Sequence, residues 1–183
     1  MSVLQTTEQG CTRSFAQTHF LTLARYNLWA TRRLLDDHLT ALPETDYRRD
    51  CGLYFKSIHG TLNHLLVGEH GLWRRRFAEG LSPKIALDTE IESDRTLLRQ
   101  RLLNEAQAWL PLIESWAPTQ FEGELDYVSM RGQALSLPFS ATLAHVFNHG
   151  AHHRGQITAA LTAMGLPCPE LDMVYMLQTE KVN

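Results

Sequence analysis

Four long segments with the periodicity of amphipathic helices constrain the fold more than any other feature of this sequence. Within them apolar residues recur at spacings of three, four and seven, which is typical of helices that bury one face. The segments extend approximately over residues 14–42, 55–78, 89–116 and 140–164. Pro43, Gly80 and Gly165 follow three of them and predict helix ends there. Such segments, joined by mostly short connections, predict an all-α protein built as a four-helix bundle.

Single residues predict the ends of the third and fourth helices. Asp88 and Ser140 lie at the starts of these segments, where a side-chain oxygen can cap a helix N-terminus. Pro111 lies inside the third segment, where a proline is expected to kink the helix or end it early. Pro167 follows Gly165 and blocks continuation of the fourth helix.

A different pattern separates the third and fourth helices. Residues 121–128 and 133–137 alternate roughly between apolar and polar side chains, and residues 130–132 between them are typical of a turn. This pattern predicts a small β-hairpin before the last long helix. A short helix near residues 171–179 is also expected, after Pro169.

The composition is that of one ordinary globular domain over residues 1–183. Apolar residues make up 44% and charged residues 20%, so the chain can bury a substantial core. The net charge of −3 argues against nucleic-acid binding through bulk charge, and the run of arginines at 74–76 is interpreted as a solvated helix face. No apolar stretch approaches the roughly 20 residues that a membrane span needs.

The cysteines favour a reducing compartment. Cys11, Cys51 and Cys168 are odd in number, far apart and outside any C-x-x-C motif, so a cytoplasmic protein with free thiols is expected. The polar first ten residues lack the apolar stretch of a signal peptide. No neighbouring motif indicates a lowered thiol pKa, so nucleophilic catalysis by Cys51 or Cys168 is not predicted.

Histidines are concentrated in the fourth helix, which carries four of the nine between His145 and His153. His149 and His153 are four residues apart, so they lie one turn apart on one face with a rise of about 6 Å. That face is the margin of the apolar stripe, which directs both imidazoles toward the bundle interior. Two inward imidazoles need either a shared metal ion or hydrogen bonds, and both alternatives remain open.

The second helix offers candidates for a third ligand, namely His59, His64 and His70. His64 shares its face with three glycines of the same helix, Gly60, Gly68 and Gly71. Such a face indicates either open space beside His64 or close helix packing. Three histidines with one free position are typical of catalytic zinc sites, although imidazole also suits nickel, copper and iron. A di-iron carboxylate site is disfavoured, because the chain contains no E-x-x-H motif.

The sequence resembles the DinB-like (damage-inducible) family along nearly its whole length. The resemblance rests on residues 26–30 (YNLWA), 57–66 (SIHGTLNHLL) and above all 145–157 (HVFNHGAHHRGQI), together with the turn at 132–133. It implies an up-down-down-up four-helix bundle of the DinB/YfiT-like type, often a homodimer. It also implies a divalent metal ion held by His64, His149 and His153. Relatives with this fold include metal-dependent transferases that use low-molecular-weight thiols such as bacillithiol, mycothiol or glutathione.

These observations favour a divalent-metal-binding protein with zinc, nickel or iron, which acts on a small-molecule substrate as a thiol S-transferase or a hydrolase. Asn27, His145 and Gln156 are candidates for orienting the ligands or the substrate. The alternative is a non-enzymatic stress-response or interaction protein in which the ion is structural. A second alternative is a bundle without metal, in which His149 and His153 are hydrogen-bonded core residues.

Overall fold

The computed structural model describes residues 13–182, so Cys11 and the first ten residues lie outside the described range. The α-helices in this range are α1 (Phe15–Arg33), α2 (Glu44–Arg48), α3 (Ile58–Leu65), α4 (Arg75–Glu79), α5 (Arg95–Ser115), α6 (Phe139–Ala163) and α7 (Met173–Val182). A π-helical stretch (Leu34–Leu39) extends α1, and another (Leu66–Arg74) joins α3 to α4. A 3-10 turn (Pro118–Glu122) leads into the hairpin.

The predicted four-helix bundle is confirmed. Its members are α1 with its π-helical extension, the continuous run from α3 to α4, α5 and α6. α1 packs against α5 and α6, and α3 packs against the same two helices. Among the described residues, no helix has both the length and the apolar character needed to cross a bilayer.

The start of α5 differs from the prediction. Asp94 caps the helix by accepting a hydrogen bond from a backbone N–H of the first turn at 2.8 Å, and Asp88 lies in the loop before it. The loop stays extended because Asn63 of α3 binds its backbone. Oδ1 of Asn63 accepts hydrogen bonds from the N–H groups of Ile91 and Glu92, each at 3.0 Å. These side chain–backbone bonds replace the helical ones that the sequence pattern predicts.

Pro111 does not end α5 early, which was one of the two outcomes expected for it. The helix continues through it to Ser115. Trp109 and Ile113, on either side of the proline, are completely buried in the core. Their packing holds the helical path although Pro111 lacks an N–H group, because burial of two large side chains outweighs one missing hydrogen bond.

The two ends of α6 contrast with each other. Ser140 does not cap the helix, which begins directly after Pro138, and its hydroxyl donates instead to the carbonyl oxygen of Phe121 at 2.5 Å. At the other end Gly165 adopts a left-handed φ of 71°. Its N–H group donates to the carbonyl of Thr162 at 2.9 Å. The predicted glycine stop is therefore confirmed.

The predicted hairpin is also confirmed. β1 (Glu124–Val128) pairs antiparallel with β2 (Ala134–Pro138), and Tyr127 lies opposite Leu135. Gly132 has a φ of 80° in the connecting turn, a conformation that glycine adopts without steric cost. The hairpin leads directly into α6 and therefore fixes where that helix starts.

The core consists of two apolar clusters with a polar layer between them. The first cluster is rich in aromatic residues and includes Phe20, Phe77, Trp109, Trp116, Phe121 and Phe139. The second is mainly aliphatic and includes Leu34, Leu39, Ile58, Leu62, Leu98 and Leu161. Along α6, Val146 belongs to the first cluster and Ile157 to the second. The histidine pair lies between these two positions, at the level of the polar layer.

Candidate metal centre

The structure brings the side chains of His64, His149 and His153 together at one point. Nε2 of His149 lies 3.1 Å from Nε2 of His64 and 3.1 Å from Nε2 of His153. One nitrogen from each ring lies within 4.8 Å of the other two. Two nitrogens bound to a tetrahedral zinc ion at about 2.0–2.1 Å would lie roughly 3.3 Å apart. The spacing of the three rings therefore suits a single divalent ion.

Hydrogen bonds behind two of the rings determine which nitrogen faces this point. Nδ1 of His64 lies 2.8 Å from the backbone carbonyl oxygen of Leu87, and Nδ1 of His153 lies 2.8 Å from Oε1 of Gln156. Since a carbonyl oxygen can only accept, each Nδ1 donates its hydrogen and each Nε2 keeps a lone pair. Histidine ligands of metals commonly have such a partner behind the ring. Gln156 is thus in direct contact with a candidate ligand.

Burial keeps the three imidazoles uncharged at neutral pH. It lowers the pKa of His149 to about 3, with the neighbouring histidines adding to the effect, and it lowers the pKa of His153 to about 4. Burial also lowers the pKa of His64, against the opposing effect of the hydrogen bond to Leu87. Nε2 of His64 and Nε2 of His153 both direct a lone pair at Nε2 of His149, which can donate a hydrogen to at most one of them, so at least one lone pair is left without a partner. A cation at their common point would accept a lone pair from every ring, so the donor set fits a metal ion.

Gly68 gives the ring of His149 its space. A Cβ atom added at Gly68 would lie 3.1 Å from Cε1 of His149. A Cβ atom at Gly71 would instead lie 3.3 Å from Cδ1 of Ile85. The glycine face of this helix was expected to provide either open space or close packing. At Gly68 and Gly71 the structure has close packing.

A turn before α3 places Phe55 over the cluster. α3 begins at Ile58 rather than at Phe55, because Ser57 caps its first turn with the side-chain hydroxyl. Lys56 has a φ of 70°, which is rare outside glycine, and the N–H group of Ser57 donates to the carbonyl of Phe55 across it at 2.8 Å. The Phe55 ring stacks on His64 with centroids 3.8 Å apart. It shields one side of His64 from water.

Of the other two residues predicted to orient ligands, His145 lies beside the histidine cluster, whereas Asn27 binds a separate set of residues. The ring of His145 is next to the cluster, with its centroid 5.8 Å from that of His149. The side-chain amide of Asn27 donates to Glu69 at 3.0 Å, and its carbonyl oxygen accepts from Arg154 at 2.5 Å. Both polar ends of Asn27 are therefore used by a separate set of residues.

The alternative third ligands, His59 and His70, face other partners. Nε2 of His59 lies 3.2 Å from the carboxylate of Glu90. His70 lies between two carboxylates, 3.8 Å from each, and burial lowers its pKa to about 3. Within the part of the chain that the structure describes, His64 is thus the member of this trio that joins His149 and His153.

Sequence reasoning missed a buried ionic network beside the cluster. Glu69 and Arg154 are 3% and 2% exposed, and Asn27 bridges them. Burial raises the pKa of Glu69 to about 6, although the charge of Arg154 and the hydrogen bond from Asn27 act in the opposite direction. A Cβ atom at Gly150 would overlap Oε1 of Glu69. The network therefore reaches the α6 backbone immediately next to the histidine pair.

The sequence does contain a signal for this network. With about 100° per residue, Arg154 falls about 140° from His149, close to Leu143 and Leu161 on the apolar face of α6. A charged side chain in that position requires a buried partner. Phe55 carries no comparable signal, because its contact with His64 depends on the unusual turn that precedes α3.

Comparisons with known proteins agree on one family. The DinB family model matches residues 14–181. Protein DinB of Bacillus subtilis (strain 168) is 26% identical in an alignment of 168 residues, and the match covers 87% of this chain and 95% of the relative. A DinB-like protein from Bacillus cereus has a crystal structure with a TM-score of 0.62 at 19% identity, covering 84% of this chain and 95% of that one. YfiT from Bacillus subtilis, described as a probable metal-dependent hydrolase with an unusual four-helix bundle topology, has a TM-score of 0.61 at 12% identity, covering 85% and 92%.

Proposed function

The chain belongs to the DinB family, and we propose that it is a metal-dependent enzyme acting on a small-molecule substrate. His64, His149 and His153 hold a divalent ion through their Nε2 atoms. The observation that carries the proposal is the convergence of three neutral imidazoles, two of which commit their Nδ1 hydrogen to a carbonyl oxygen. The description of YfiT as a probable metal-dependent hydrolase supports the same class of activity.

The number of ligands favours catalysis over a structural role for the ion. Among the described residues, the cluster contains three histidines and no fourth histidine, cysteine or carboxylate. Structural zinc sites are closed by four protein ligands, whereas catalytic sites leave a position for water or substrate. Imidazole ligands suit zinc, nickel and iron, and these are the ions we expect.

When bound, the ion would supply Lewis-acid chemistry, which polarises a carbonyl group or lowers the pKa of a water or thiol nucleophile. This chemistry suits a hydrolase or a thiol S-transferase that uses a low-molecular-weight thiol. Leu87 and Gln156 hold His64 and His153 in the tautomer that such a site needs. Phe55 keeps water away from one face of His64.

Metal analysis of untagged protein tests the proposal. We expect about one equivalent of zinc, nickel or iron in the wild type. His64→Ala and His149→Ala should each lose it while far-UV circular dichroism still shows a helical protein. His19→Ala is the matched control, since this exposed histidine lies on α1 outside the cluster and the variant is expected to retain the metal. Reconstituted protein is then assayed for hydrolysis and thiol transfer.

The outcomes separate the alternatives. Wild-type protein without metal, even after reconstitution, would contradict the site. Collapse of the helical signal in both ligand variants would favour a structural ion. A homodimer and a cytoplasmic location stay predictions, the first from the family resemblance and the second from the cysteine content.

A further inference from the structure

An apolar groove lies on the side of α6 that precedes the histidine pair. Its volume is about 340 Å³, which is at the lower end of the range for small-molecule sites. Its walls are formed by the hairpin, the π-helical stretch and α6, and include Trp73, Tyr127, Leu137, Ala141, Thr142 and His145. A cavity of this size can hold a group of about one ring.

The groove lies next to the histidine cluster along α6. Ala141, His145 and His149 are spaced four residues apart, so they follow one face of α6 with a rise of about 6 Å per step. The ring of His145 lies 5.3 Å from that of Trp73 in the groove wall and 5.8 Å from that of His149, centroid to centroid. A single side chain therefore separates the groove from a candidate metal ligand.

The chemistry of the walls selects a neutral, apolar group. None of the described residues lining the groove carries a carboxylate, an ammonium or a guanidinium group. The buried guanidinium of Arg76 lies 4.5 Å from the Trp73 ring centroid and 4.6 Å from that of Tyr127. The positive charge already held by these two rings disfavours a second cation next to them. The hydroxyl of Thr142 is engaged with the carbonyl of Pro138 at 2.9 Å.

We infer that this groove binds an uncharged aromatic or aliphatic part of the substrate, of about one ring, while the reacting group lies at the three histidines. The inference rests on the proposed function, because it assigns the substrate class of that same site. Burial of one ring against Trp73 and Tyr127 should strengthen binding by on the order of tenfold or more.

Two hydroxamic acids with the same metal-binding group test this inference. Cobalt(II)-loaded protein is titrated with acetohydroxamic acid and with phenylacetohydroxamic acid, and binding is followed by visible absorption of the cobalt. We expect the phenyl compound to bind on the order of tenfold more tightly. Ala141→Trp, which fills the groove, should abolish the preference. Ala159→Trp is the matched control, since Ala159 is also an exposed alanine and lies far along the same helix.

A second variant covers the case in which Ala141→Trp fails to fold. Leu137→Asp places a charge at a wall residue that is already 38% exposed, and it should also abolish the phenyl preference. Leu166→Asp, at a residue 36% exposed beyond the end of α6, should leave the preference intact. Equal affinities in the wild type, or a preference that survives both groove variants, would overturn the inference while leaving the metal centre in place. Protein that binds no cobalt would instead overturn the metal centre, and this inference with it.

Discussion

Gly68→Ala should weaken metal binding without unfolding the protein. The new Cβ atom would lie 3.1 Å from Cε1 of His149, whereas ordinary contacts begin at 3.4 Å. The imidazole must therefore move by about 0.3 Å or more. Metal–ligand distances tolerate only about 0.2 Å. Since comparable disturbances around ligands typically cost 10–100-fold in affinity, we expect a loss of about that size.

Gly71→Ala is the control that isolates this effect. Both glycines lie in the π-helical stretch, and alanine should stabilise the helical backbone at each by up to about 1 kcal/mol. The new Cβ atom at Gly71 meets the flexible end of Ile85 at 3.3 Å instead of a ligand. We therefore expect Gly71→Ala to bind metal as the wild type does.

Competition with a chromophoric chelator gives the affinities, and urea unfolding of the metal-free proteins gives their stabilities. The expectation is that Gly68→Ala differs from Gly71→Ala in metal affinity more than in stability. Equal metal affinity in the two variants would refute it, because the contact with His149 would then have no influence on the site. Unfolding of metal-free Gly68→Ala would refute it too, since the variant should remain folded.

Two further predictions concern the buried polar groups. Arg154→Met should lower the free energy of unfolding by about 1–3 kcal/mol, because buried Asn27 loses a hydrogen-bond donor and Glu69 loses a nearby positive charge, and adding Glu69→Gln should restore part of the loss in urea unfolding. In metal-free protein, stability should fall as the pH drops below about 6.5, since His149 stays neutral down to about pH 3 while the unfolded chain takes up a proton. His149 should contribute at most about 1.4 kcal/mol per pH unit to the slope of the unfolding free energy against pH. This contribution should be absent in His149→Ala, and chemical unfolding at several pH values across the range measures it.

The helices could be predicted from the sequence wherever one apolar face and a clear stop signal specify them. The helix ends that differ from the prediction are those where a tertiary contact determines the backbone conformation. Asn63 binds the chain before α5 and keeps it extended, so the first candidate cap, Asp88, is not used. Burial on both sides of Pro111 likewise carries α5 past a residue that ends isolated helices. Sequence periodicity contains no information about such partners.

The candidate site divides in the same way. The approach of His149 and His153 follows from their spacing on a single helix, which the sequence specifies directly. The sequence does not specify which of His59, His64 and His70 is the third ligand. That depends on how two helices pack and on what the other two histidines contact. Residues Leu66–Arg74 also form a π-helix, so side-chain directions calculated with 100° per residue are incorrect from Leu66 onward.

The network of Glu69 and Arg154 is not explained by stability alone. Nε and Nη2 of Arg154 and Oε1 of Glu69 have no hydrogen-bond partner within residues 13–182, and apolar replacements of buried ion pairs are often as stable. Its contacts do fix a register, since Asn27 joins α1 to both charges and Gly150 lets Glu69 approach the α6 backbone. His149 precedes Gly150 directly, so the same register aims its imidazole at the common point. Arg154→Met should therefore weaken metal binding as well as folding, and unchanged affinity in the folded variant would separate the two roles.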